Sequence, residues 1–380
     1  MRVIFDARHL QTVSRTRGIG RYSRGLLAGF ARRAPPDVRW TLLRLATFPP
    51  AADRALPPHD ELRVLRPRRP ELAMLALDAP MLSVELAGYG SGTVYHSVQL
   101  GLPALRRARA VLTIHDLAPL HWPDHYLRWP HVRLGHMWQY AMAQHADAVI
   151  VPSQATARDV IERLRIPASR VRVIPEAVDP DFAPPARDEG RRVARESLGI
   201  PERYVLYVGQ FDPRKNMDGL LSAFAQAAGS HPELRLVIAG ELGKLEAHLR
   251  AALRRTLAPL ERVIVTGYVD DATLASLYAG AECLLHAALL EGFGLTPLES
   301  LAAGTPVVGY HAGAVEEVVG DAGILVDPGE EGALGEALVS LLRSDALASD
   351  LRDRAASRAA LFSWDRAADE TLAVYRSVLA

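Results

Sequence analysis

Two glutamates, Glu291 and Glu299, stand eight positions apart around a Gly-Phe-Gly turn in LLHAALLEGFGLTPLESLAAGTPVV, Leu284 to Val308. Gly292 and Gly294 permit positive φ and let a ligand approach the backbone closely. Glu291 therefore reads as a carboxylate in a ligand-accessible loop. Glu299 has two readings: a ligand-facing carboxylate, or one arm of a Thr296-x-x-Glu299 capping box that reaches back to the N-cap N–H. A second group lies in YVLYVGQFDPRKN (204–216), where Arg214-Lys215 follow Gly209 and precede a helix with Asn216 as N-cap. Two cations at a strand's C-terminal end, beside a helix N-terminus, suit a diphosphate. Standing alone, the pair would also fit a solvated basic turn.

The local elements must put these groups at one edge. Leu284-Leu285 close an apolar run that reads as a buried strand, and Val307-Val308 open the next. Thr296 has N-cap chemistry, Pro297 suits the first helical position, Gly304 fits C′ and Thr305-Pro306 stop the helix. Glu291 is thus expected in the loop after a strand and Glu299 in the first turn of the next helix. Ligands bind at that edge of open α/β sheets. His115-Asp116 directly follow the apolar run Ala110–Ile114 and reach the same kind of edge, although a lone histidine is more often structural; His121 and Asp124 are weaker candidates.

Arg17-Gly18-Ile19-Gly20-Arg21-Tyr22 leads into a helix with Leu26, Leu27 and Phe30 on its apolar face. Its Gly-x-Gly lacks the third glycine and the acidic ribose partner of a dinucleotide fingerprint, which disfavours a nicotinamide enzyme. Ser153 reads as an N-cap, since no glycine elbow makes it a nucleophile. Asp179-Pro180-Asp181 falls in a proline-rich stretch and Asp270-Asp271 in a solvated turn, so neither reads as a metal pair.

Together these pieces resemble the retaining, GT-B-fold glycosyltransferases of family 4. The likeness rests on the Glu-seven-residues-Glu motif with its EGFG, P-LE and AAGTPVV flanks, the glycine-to-lysine segment ending at Lys215, and TIHDLAPL around His115. It spans essentially the whole chain, strongest over Tyr204–Pro328 and weakest over Thr47–Ser91. The resemblance implies an α/β GT-B fold, two Rossmann-like domains facing each other across a cleft. It implies that Glu291 contacts the donor sugar, that Glu299 holds the nucleotide ribose, and that Lys215 and Arg214 meet the diphosphate. His115 would sit near the reacting carbon, and Gly18 and Gly20 would turn backbone N–H groups to the donor phosphates. Gly209, Gly292, Phe293, Gly294 and Leu295 would line the donor site, with Gly240-Glu241, Gly267-Tyr268, Val269 and Leu274 near the base. Ala287-Ala288-Leu289 replace the usual Pro-Ser, and Gln210 replaces a frequent arginine, so the guanidinium role passes to Arg214. The opening FDARHL and GIGRYSRGLL resemble bacterial mannosyl- and rhamnosyltransferases of surface-polysaccharide assembly. A hexose would then pass from a nucleotide sugar, GDP-mannose first, to a glycan or lipid-linked acceptor without a metal or other cofactor. A GT-B epimerase or phosphorylase would turn over without an acceptor, and a binding module would turn over nothing.

At 380 residues the chain exceeds one comfortable core. It is 49% hydrophobic and 23% charged, with no uncharged apolar run of membrane-spanning length. Met1–Asp6 reads as a first strand rather than a signal peptide, and the single cysteine, Cys283, as a buried small hydrophobe; the expected compartment is the cytoplasm. Residues 1–180 carry 25 Arg and Lys against 15 Asp and Glu, and residues 181–380 carry 19 against 29. Basic clusters at Arg63, Arg66, Arg68 and Arg69 and at Arg106, Arg107 and Arg109 would favour anionic lipid at the inner face of the membrane, or an anionic acceptor. No aromatic interleaving or binding motif points to nucleic acid.

Strand-like runs are expected near 2–6, 38–43, 62–65, 93–96, 110–114, 147–151 and 171–174, then near 204–208, 235–239, 263–265, 282–285, 306–308 and 324–326. Longer helical stretches between them argue for parallel sheets. The expected division is 1–180, a linker over 181–200, 201–362, and a C-terminal helix over 363–380 that, by the resemblance, crosses back to the first domain.

Overall fold

Short apolar runs rich in valine, isoleucine and leucine suit strands buried on both faces of a parallel sheet. A computed structural model, which describes residues 1–16, 18–48, 55–64, 78–240, 246–256 and 258–380, forms strands from all thirteen expected runs. The chain divides into two units, Met1–Asp179 with Ser363–Ala380, and Pro180–Phe362.

The first unit holds β1 (Arg2–Asp6), β2 (Arg39–Leu45), β3 (His59–Val64), β4 (Thr93–Ser97), β5 (Arg109–Thr113), β6 (Ala148–Val151) and β7 (Val171–Val173). They pair in parallel in the order β3-β2-β1-β4-β5-β6-β7. Ile4 lies in register with Thr41 on one side and Tyr95 on the other. Ile4, Leu43, Tyr95, Leu112, Val149 and Leu164 share one core. The expected third strand starts earlier, at His59, because β3 is an exposed edge strand that needs no apolar run.

The second unit holds β8 (Tyr204–Val208), β9 (Arg235–Ala239), β10 (Val263–Gly267), β11 (Leu284–His286), β12 (Val307–Tyr310) and β13 (Gly323–Val326). Their order is β10-β9-β8-β11-β12-β13, again parallel. Val205, Phe224, Leu236, Leu285, Val308 and Leu338 form its core, with Cys283 fully buried beside them. Both sheets are doubly wound. The strand order reverses between β1 and β4 in one and between β8 and β11 in the other. Crevices for ligands open outside the carboxyl ends of strands at such switch points.

Two segments complete the units. The helix Trp364–Leu379 packs in the first unit against the helix Gly18–Arg33, where a Cβ on Gly25 would strike the Trp364 indole. Trp364 Nε1 donates to the Val178 carbonyl at 2.9 Å, and Arg32 pairs with Asp365 at 2.6 Å. The stretch 181–200, expected as a linker, instead carries the helix Arg187–Leu198 folded onto the second unit. Arg187 and Arg191 pair with Glu282 at 2.7 and 2.9 Å, and Gly190 lies tight against the helix Asp271–Gly280. Its buried face is Gly190 and Ala194, too small to register as an apolar stripe. Among the described residues no helix is long and apolar enough to cross a membrane.

Candidate active site

The switch point of the second unit collects the charged groups. After β8 the chain turns at Asp212, whose carboxylate accepts from Arg214 N–H at 3.1 Å and so caps the short turn Pro213–Lys215. Asn216, at φ +50°, then caps the helix Met217–Ser230 through Gly219 N–H, as expected. Glu291, in the loop after β11, is 7% exposed and is met by both cations. Lys215 Nζ donates to Oε1, Arg214 Nη1 donates to Oε2 at 3.4 Å, and His286 Nε2 lies 3.2 Å from Oε1. Burial opposes charge on this carboxyl, but Lys215, His286 and Arg214 outweigh it and hold the group well below the usual range. Burial lowers the His286 pKa, so its imidazole is neutral at pH 7.

Backbone contacts fix the two loops to each other. Leu289 N–H donates to the Arg214 carbonyl at 2.7 Å, and Ala314 N–H donates to the Glu291 carbonyl at 3.1 Å. Gly313, at φ +59°, lies so close that a Cβ there would strike the Glu291 carbonyl. Asp212, His286 and Gly313 escaped sequence reasoning. The one readable signal was a histidine at the end of an apolar run, just before the loop.

Glu299 is placed differently from expectation. The helix spans Leu295–Ala302 with Gly294 as its N-cap at φ +104°, and Leu298 N–H donates to the Gly294 carbonyl at 3.1 Å. Glycine has already turned the chain, so Thr296 and Pro297 are inside the helix and Glu299 lies beyond its first turn. No Thr296 cap or capping box forms, because the cap residue carries no side chain. The Glu299 carboxylate, 2% exposed, accepts from Tyr278 Oη at 2.8 Å. Gly304 does sit at C′ with φ +72°, and Thr305 N–H returns to the Ser300 carbonyl at 2.9 Å. Glu299→Gln keeps an acceptor for Tyr278 while weakening the ribose contact that the family resemblance implies, one expected to change little as a bond breaks. Donor KM should rise with kcat unchanged; steady-state kinetics giving an unaltered KM would count against a ribose role.

The remaining candidates in this unit divide. Gly209 N–H donates to Ala239, Gly240 N–H to Gly267, and a Cβ on Gly240 would strike the Gly209 carbonyl, so glycines bring the ends of β8, β9 and β10 together. Val269 is half-buried and Leu274 buried. Gly292 and Gly294 are buried, Leu295 is half-buried, and Phe293 packs edge-on against Phe362 at 5.7 Å. Asp270 caps the helix Asp271–Gly280, accepting from Thr273 N–H at 2.7 Å. Glu241 lies outside the described residues.

In the first unit, His115 follows β5 as expected. Its Nδ1 lies 3.1 Å from Glu176 Oε1, and Tyr22 stands edge-on to the ring at 4.7 Å. Its Nε2 is buried with no hydrogen-bond partner among the described residues. A buried orphan of this kind calls for a ligand or water. At the β1/β4 switch point, Asp6 accepts from Arg8 at 2.7 Å and from Tyr95 Oη at 3.0 Å, and His9 Nε2 meets Ser23 Oγ at 2.7 Å. The roles of Asp6, Arg8, His9 and Glu176 were not read from sequence; Glu176 is remote in the chain and carries no motif.

Gly18 starts its helix, and Gly20 is buried where a Cβ would strike the Ser14 and Arg15 carbonyls. His121 is tied to Asp159 at 2.6 Å, and Ser153 Oγ caps its helix by accepting from Thr156 N–H at 3.0 Å. Asp179 pairs with Arg24 at 3.2 Å. Much of the basic clustering is internally matched: Arg63 pairs with Glu61, while Arg106 and Arg109 share Asp147. Arg17, Arg66, Arg68 and Arg69 lie outside the described residues.

Comparison with known proteins then decides the family. Residues 16–182 match the model described as Glycosyltransferase Family 4, and residues 191–359 that described as Glycosyl transferases group 1. O-antigen chain mannosyltransferase B of Escherichia coli is 30% identical over 288 residues, 74% of this chain and 74% of that protein. The chain belongs to the family 4 glycosyltransferases. D-inositol 3-phosphate glycosyltransferase of Mycobacterium avium (strain 104) is 34% identical over 246 residues, 63% of this chain and 56% of that protein. HepE of Anabaena, solved with UDP and glucose, is similar at a TM-score of 0.74 and 18% identity, covering 99% of this chain and 100% of that one. This glycosyltransferase therefore has the GT-B fold of two Rossmann-like units.

Proposed function

We propose that the enzyme moves a hexose, mannose in first place, from a nucleotide diphosphate sugar to a hydroxyl of a glycan or lipid-linked acceptor, with retention of configuration. GDP-mannose is the first choice of donor. The observation that carries this reading is the convergence of Lys215 and Arg214 on buried Glu291 at the switch point of the second unit. Among the described residues the Lys215 ammonium donates to Glu291 alone. An ammonium has three donors, so two can still turn to a phosphate. As the C1–O bond stretches, negative charge grows on the distal phosphate, and cations already in place stabilise that state more than the ground state. Glu291 holds Lys215 in position and, as the resemblance implies, contacts the donor sugar. These cations would take the diphosphate's charge without a divalent ion. The mannosyltransferase of E. coli supports mannose, and retention follows the family likeness.

A thermal-shift screen of GDP-, UDP-, ADP- and dTDP-sugars, run in EDTA, tests the reading. At a hundred times Kd a recognised ligand stabilises by about 2.7 kcal/mol. GDP-mannose is expected to raise the melting temperature. A rise with another nucleotide alone would replace the donor, and no rise with any would overturn the proposal.

A further inference from the structure

We propose that the helix Pro130–Ala143 docks the first unit on an anionic lipid surface. Its inward side buries Gly135, Tyr140 and Ala143. Its other side is apolar and open: Leu134 is 72% exposed, Met137 51% and Trp138 49%, with Trp129 58% exposed at the N-cap. At 3.6 residues per turn, Pro130, Leu134, Met137, Trp138 and Ala141 fall on one stripe about 100° wide, opposite the buried side. Soluble surfaces seldom expose two tryptophans, a leucine and a methionine together without a partner.

Charge indicates which partner. Residues 125–146 contain no Asp or Glu, but they hold Arg128, Arg133 and four histidines. By helical geometry His131 and Arg133 flank the stripe on either side. Arg128 lies over the Trp129 ring at 5.2 Å from its centroid, which keeps a cation beside an exposed indole. Tryptophan and leucine at the acyl boundary, with arginines at headgroup level, form the pattern of a helix lying in a membrane interface. A second copy meeting this face across a two-fold axis would bring like charges together, whereas anionic headgroups attract them. These residues differ from the basic clusters singled out in the sequence, of which Arg63, Arg106 and Arg109 have acidic partners. Nothing in the proposal depends on the donor.

The full chain is tested by flotation with phosphatidylcholine vesicles, with and without phosphatidylglycerol, while tryptophan emission is followed. Binding with a blue shift is expected only when phosphatidylglycerol is present, weakening as salt is added. Leu134→Glu/Trp138→Glu should lower partitioning by at least about tenfold. Arg128→Glu/Arg133→Glu should lower it most at low salt, and both variants should keep the wild-type circular dichroism and melting temperature. Three results would each overturn the proposal. The wild type could stay soluble beside phosphatidylglycerol vesicles, or the apolar variant could partition as the wild type does. Sedimentation could instead show a dimer that the apolar variant breaks, giving the face to a second copy.

Discussion

Lys215→Ala should lower kcat by about 10²–10³-fold, the usual cost of deleting one preorganised donor at a developing negative charge. The ammonium sits on Glu291, and Asp212 and Asn216 hold the turn that carries it. Geometry, rather than flexibility, places the charge. The substitution also has a structural cost, because it removes one cation from a buried carboxylate. Breaking a buried pair typically costs about 3–5 kcal/mol; Arg214 and His286 remain beside Glu291, so the loss should fall below that range. Lys215→Ala/Glu291→Gln separates the two effects: it should recover melting temperature but not turnover. Near-normal turnover in the single variant, or recovered turnover in the double, would remove Lys215 from the chemistry.

The second large effect is loss of stability in acid, and it belongs to the first unit. His96 is fully buried between Tyr375 Oη at 2.5 Å and Thr113 Oγ1 at 2.8 Å, and His9 is bonded to Ser23. Burial pushes their pKa values down to about 3 and about 4. The ordinary value is about 6.5, so the unfolded chain binds two protons that the folded unit refuses. Stability from this source is complete above pH 6.5 and declines as the pH falls toward the folded values. With two protons at stake, the slope should be steepest near pH 5, where it approaches roughly 3 kcal/mol per unit. All five tryptophans, at 40, 122, 129, 138 and 364, lie in this unit, so denaturant titrations followed by tryptophan emission report it alone. His96→Gln should remove about half of the slope. An unchanged slope would mean that His96 is not the group refusing the proton.

The fold was legible because parallel strands buried on both faces are written as continuous apolar runs. All thirteen could be placed, and edge strand β3, which is polar, began furthest from its expected start. The helix Arg187–Leu198 was hidden because glycine and alanine, rather than large apolar residues, make its contact face. In the site, Glu291, Arg214 and Lys215 could be placed at strand ends from sequence because short turns leave them few places to go, but the ion pairs that join them were not read there. Glu299 was misplaced by about half a turn because Gly294 at φ +104° did the work assigned to Thr296. Glu176 and Gly313 act through contacts between segments distant in the chain, which no local spacing encodes, whereas His286 stands close before Glu291 and was readable only as a histidine ending an apolar run.

The most direct measurement is calorimetric titration of wild-type and Lys215→Ala protein with the nucleoside diphosphate singled out by the donor screen, and with its parent nucleoside. The diphosphate should lose at least about tenfold in affinity, about 1.4 kcal/mol, in the variant, while the nucleoside binds both proteins equally. Equal affinity of the diphosphate for both proteins would contradict a phosphate site built on Lys215 and Glu291.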